Sequence, residues 1–219
     1  MSAINEWVVR EYFEQLGFLV TQPRKYVPSG RQKKADEEID LLVVNPTVTE
    51  HCVPDHLVWL TPDLAHVARA IVGVRGWHTE RFSASRFEQW PDITRFAEPD
   101  SVRFASRLLR SEQMAKILCI PDLSGAGELK QKTISALRQR GIDGIILFRT
   151  MLTDLVAGVS TNRNYEKSDL LQVIRLLKNY KLLREPQLEL FARRRPARAK
   201  SAGKVAPPAA EPQPQPPQA

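Results

Sequence analysis

Two stretches, Glu38-Ile39-Asp40-Leu41-Leu42-Val43-Val44 and Ala70-Ile71-Val72-Gly73-Val74-Arg75-Gly76-Trp77, decide how this chain is read. Both are β-branched and aliphatic, and the first is closed by Asn45-Pro46, so each reads as a strand. Alternate residues of a strand project to one face, which puts positions 73 and 75 on the same side. Asp40 lies inside the apolar strand expected from Ile39 to Val44, so its carboxylate must reach solvent or a partner.

Outward from these strands, helical and extended patterns alternate. Ile4 to Leu16 reads as an amphipathic helix with Ile4, Val8, Tyr12 and Leu16 on one stripe, Ser2 as N-cap and Gly17 as stop. Phe18 to Thr21 reads as a strand, and Gln22 to Asp36, carrying Lys33 and Lys34, as an exposed basic loop. The stretch from Asn45 to Arg69 is irregular, with a short helix start at Thr61-Pro62-Asp63. Ser83 to Leu109 reads as helix and loop broken by Pro91 and Pro99. Further strands are expected at Lys116 to Pro121 and Gly144 to Phe148, and a helix from Gly127 to Arg140 with Gly141 at its C-terminal cap. Ser168 to Leu183 reads as a helix burying Leu170, Val173, Ile174, Leu177 and Tyr180. The alternation implies an α/β domain over residues 1–184, with a central mixed sheet flanked by helices.

Residues 185–219 change composition. The cationic run Arg193-Arg194-Arg195 leads into a Pro/Ala/Gln segment that lacks the apolar surface to offset its ordering entropy, so a disordered tail is expected. From Glu185 onward six cations stand against three acids, so +3 of the net +7 lies in the tail and +4 in the body. That excess suits an anionic partner such as nucleic acid. Hydrophobic residues at 42% and charged residues at 26% fit a globular chain. No apolar run approaches the roughly 18 residues of a membrane span, and the polar start lacks a signal pattern, so a cytoplasmic location is expected. Cys52 and Cys119 sit in or beside apolar segments and read as buried free thiols.

The order helix with Glu6, strand, strand with Asp40, strand with Gly73-x-Arg75, helix, strand resembles the PD-(D/E)xK restriction endonuclease-like superfamily. The resemblance covers roughly residues 1–150. It implies that a helix Glu, a strand Asp and the Glu of a Glu-x-Lys pair gather around Mg2+, with the Lys positioning the attacking water. Glu6 and Asp40 then take the metal-binding positions, and Asp40 and Arg75 mark a degenerate catalytic site. Gly73 stands in place of the second acid and offers no carboxylate. Arg75 stands in place of the Lys and, with a pKa above about 12, cannot act as a base.

Three functions remain open at this stage. One is a catalytically degraded nuclease fold that binds nucleic acid or another macromolecule through Arg75, Trp77, Lys33, Lys34 and Arg193 to Arg195. Another is an active Mg2+-dependent nuclease whose acid has migrated to Glu37, Glu38, Glu80 or Glu88, or which uses His78. The third is a protein-interaction module built on the last helix and the basic tail. Zinc is disfavoured, because His51, Cys52, His56, His66 and His78 lack paired ligand spacing. Ser124 to Gly127 lacks a P-loop Lys and reads as a turn.

Overall fold

The computed structural model describes residues 3–23, 38–80, 82–123 and 127–183. Lys33, Lys34, Glu37, the N-cap Ser2, the turn at 124–126 and the tail with Arg193 to Arg195 lie outside the described residues.

Five strands form one mixed sheet in sequence order: β1 (Leu19–Thr21), β2 (Leu41–Val44), β3 (Arg69–Val74), β4 (Ala115–Ile120) and β5 (Gly144–Leu147). β2 runs antiparallel to its neighbours β1 and β3, and β4 and β5 run parallel to β3. Strands β2 to β5 read as largely apolar runs because both faces of the sheet are covered there, whereas the edge strand β1 is exposed. On one face Leu41, Val43, Val72, Val74, Ile117 and Cys119 pack against α1 (Ala3–Gln15) and later helices. On the other, Leu42, Ile71, Leu118 and Ile120 face the chain that follows β3.

That chain, from 83 to 109, resolves into α2 (Ala84–Gln89), two 3-10 turns at Pro91–Ile93 and Arg95–Ala97, and α3 (Pro99–Leu109). Pro91 and Pro99 each open an element, where the missing N–H costs nothing. After β4, α4 (Glu128–Gln139) ends at Gly141, whose φ of +77° is the left-handed geometry that favours glycine.

Several expectations need correction. Phe148 does not end a strand: it opens a helix, α5 (Phe148–Gly158), in which Phe148, Met151 and Leu155 bury one stripe against α1. The last helix is shorter than expected, α6 (Asp169–Asn179), capped by the Ser168 hydroxyl accepting from the Leu171 N–H. It buries Ile174, whereas Val173 and Tyr180 are exposed, as is Ile4 on α1. Cys52 is exposed; Cys119 alone is a buried thiol, and burial raises its pKa.

The irregular stretch between β2 and β3 has a role that no periodicity signals. It crosses to the far edge of the sheet, where Trp59 N–H donates to the Ile145 carbonyl (2.7 Å) and Ile145 N–H to that of Leu57 (2.6 Å). It returns through a 3-10 turn at Thr61–His66 to enter β3. No helix among the described residues is long and apolar enough to cross a membrane.

Candidate functional site

The pairing of β2 with β3 sets Leu41 against Val72, so one further residue along, Asp40 faces Gly73. The Asp40 Oδ2 atom accepts from the Val74 N–H (2.7 Å) and from Arg75 Nη1 (2.7 Å). The strand carboxylate therefore finds its partner inside the fold. Arg75 is 4% exposed. Its Nε donates to the Ile93 carbonyl (3.1 Å), Nη1 also to that of Val74 (2.9 Å), and Nη2 to that of Asp92 (3.3 Å). Four of the five N–H groups of the guanidinium are committed to the protein itself. Its plane also lies over the Phe96 ring, 5.9 Å from the centroid.

Phe96 explains the glycine. A Cβ placed on Gly73 would stand 2.4 Å from the Phe96 ring, well inside contact distance. The sequence shows that position 73 lacks an acid; the structure shows that no side chain fits there unless Phe96 moves.

Glu6 lies at the same end of the sheet because α1 is tied to the exit of β3. Asn5 Nδ2 donates to the Gly76 carbonyl (3.1 Å), and Asn5 Oδ1 lies 2.9 Å from His78 Nε2. A side chain on Gly76 would collide with Asn5, so glycine permits that approach. Burial raises the Glu6 pKa above its ordinary value and the nearby Asp40 charge raises it further, against the opposing pull of Arg75 and a hydrogen bond from Gln22 Nε2 (3.1 Å). Two carboxylates thus share this end of the sheet, one held by Arg75 and the other biased toward its neutral form.

These donors do not fit a magnesium ion. Hard cations take several oxygen ligands, whereas here one oxygen of Asp40 is already bonded twice and Gly73 supplies nothing. Among the described residues no group of three His, Cys, Asp or Glu is placed to hold a metal ion. Three other candidate acids lie among the described residues. Glu80 pairs with Arg86, Glu38 is buried with Arg95 3.7 Å away, and Glu88 lines a groove between α2 and α4.

Beside the Asp40–Arg75 pair opens a cleft of about 410 Å3, with Glu38, Arg75, Trp77, Trp90 and Asp92 among its walls. Trp77 stacks on Phe82 (5.8 Å, 6°) and meets Trp90 edge to face (4.9 Å, 83°). Trp90 is 43% exposed, with the Arg86 guanidinium 4.9 Å over its ring. The structure thus brings Asp40, Arg75 and Trp77 together with Glu6 nearby, and adds Trp90, Arg86 and Phe96, which the broken pattern from 83 to 109 does not single out. No protein-family model, no curated protein and no solved structure matches this chain.

Proposed function

We propose that the chain is a restriction endonuclease-like protein that has lost cleavage and acts by binding nucleic acid. The carrying observation is the replacement of the acid pair by a closed structural one: Asp40 is held by Arg75 and Val74, and Phe96 fills the space over Gly73. The order of α1, an antiparallel β1–β2–β3 meander, helices and a parallel β4 is the order on which the resemblance rests, and it supports this reading of the fold. Without a second acid there is no clamp for the ion that makes a water nucleophilic. An arginine, with its pKa above about 12, moves no proton.

Binding draws on the basic excess, on the cleft with its indoles, and on Arg86 and Arg95 at its edge. The basic segments with Lys33, Lys34 and Arg193 to Arg195 add counterion release. The test is incubation of purified chain with single- and double-stranded DNA and RNA, with Mg2+ or Mn2+, alongside binding measured against salt. The expected outcome is no cleavage and an affinity whose salt slope is about 0.7 per phosphate contact on single strands. Metal-dependent cleavage that disappears in Asp40→Ala would overturn the proposal in favour of an active nuclease with a migrated acid. Failure to bind any nucleic acid at low salt would remove the binding half.

A second reading has one specific observation behind it. Val173, Leu176, Tyr180 and Leu182 at α6 are exposed apolar side chains, a surface suited to a protein partner. Under that reading Val173→Ser with Leu176→Ser abolishes self-association or partner capture and leaves nucleic-acid affinity untouched.

A further inference from the structure

We infer that the cleft between Trp77 and Trp90 takes one unpaired nucleobase by stacking, with the phosphates left outside at its arginine edge; this rests on the nucleic-acid reading above. Two indoles present four faces. Phe82 covers one face of Trp77, and Arg86 covers one face of Trp90. The edge-to-face contact between the indoles uses a third. Trp90 nevertheless stays 43% exposed, and both rings line the cleft. A volume of about 410 Å3 lies at the small end of the roughly 300–1,000 Å3 range of ligand pockets, too small for a base pair with its backbone and ample for a single ring.

The charges select a neutral ring over an ion. Arg75 in the wall is neutralised by Asp40 and offers at most one further N–H, so a phosphate gains little by entering. An ammonium group fares no better. Glu38 and Asp92 already have Arg95 at 3.7 and 3.2 Å, and Arg86 already lies over Trp90. A nucleobase suits this lining: aromatic rings, with the oxygens of Gln89 and the exposed Asp92 as acceptors for its edge N–H groups. Arg86, paired with Glu80, and Arg95, paired with Asp92, are partly exposed, at 26% and 45% of their side chains, so phosphates beside the inserted base compete with those carboxylates for them. A duplex must unstack to enter, so single strands are preferred.

The experiment measures anisotropy of a labelled oligothymidylate with the full chain, its Trp90→Leu and Trp90→Phe variants, and unlabelled thymidine monophosphate as competitor. Base–aromatic stacking implies that Trp90→Leu weakens binding by between about fivefold and a hundredfold, with Trp90→Phe intermediate and the salt slope unchanged. The competitor is expected to bind far more weakly than the oligonucleotide. If the parent binds single strands but Trp90→Leu binds equally well, the inference fails and the nucleic-acid reading stands. If the free nucleotide binds as tightly as the oligonucleotide, the cleft belongs to a small ligand and the assignment to a strand is overturned. If the parent binds neither, both readings fall.

Discussion

Replacing Arg75 by Met is the sharpest perturbation of this fold. The Arg75 side chain is 5% exposed and that of Asp40 12%, so their 2.7 Å pair is largely desolvated. Methionine keeps an unbranched apolar stem against Phe96 but strands the Asp40 carboxylate with only the Val74 N–H. It also removes the donors that serve the carbonyls of Val74, Asp92 and Ile93. Removing one partner of a buried pair costs about 3–5 kcal/mol, since the other charge stays behind uncompensated. At roughly 2–4 °C per kcal/mol for a chain of this length, the Tm falls by roughly 6–20 °C. Asp40→Leu combined with Arg75→Met removes both charges, and its stability should return to within about 2 kcal/mol of the parent. Urea unfolding followed by circular dichroism gives all the corners of this double-mutant cycle, provided the slope with denaturant stays constant. A loss below about 1 kcal/mol in Arg75→Met, the range of an exposed pair, would refute the reasoning. Arg75 would then be a cation free to meet phosphate.

Gly73→Ala should destabilise the fold by about 1–3 kcal/mol through its clash with Phe96, and Gly73→Ala with Phe96→Leu should recover part of that; thermal melts compare the two. Glu6 has a folded pKa raised above its unfolded value, chiefly by burial. Its contribution is therefore fully present below the ordinary glutamate pKa and is lost as pH rises through the folded one. Glu6→Gln should accordingly raise the Tm relative to the parent at neutral pH, with the gap closing in acid. A gap that widens in acid would reverse the sign of the argument. Ser168→Ala removes both the cap of α6 and the 2.6 Å bond from the Ser168 hydroxyl to the buried Glu11, and should cost about 1–2 kcal/mol in chemical unfolding.

The strands and most helices are legible in the sequence because their signals are local. Runs such as Leu41 to Val44 and Ile117 to Ile120 are apolar throughout, as sheets covered on both faces require. Positions 73 and 75 share a face simply because strand periodicity is two. Helix α5 is missed because Phe148-Arg149-Thr150-Met151 follows β5 without a turn signal, and its buried stripe only acquires meaning against α1. The exposed Val173 and Tyr180 mark the opposite failure: an apolar residue at helical spacing looks buried until the partner surface is known to be absent from the described fold.

For the site, the sequence by itself determined what positions 73 and 75 can contribute chemically. Glycine carries no carboxylate and arginine cannot act as a base, whatever surrounds them. Tertiary structure alone decided what surrounds those positions, because that depends on residues distant along the chain meeting in space. Phe96, from a turn beyond β3, closes the space over Gly73. Asp40 and Arg75, 35 positions apart, neutralise one another in a nearly dry corner, where an unpaired charge would be costly. Trp77 and Trp90, separated by a helix, meet edge to face in the wall of the cleft.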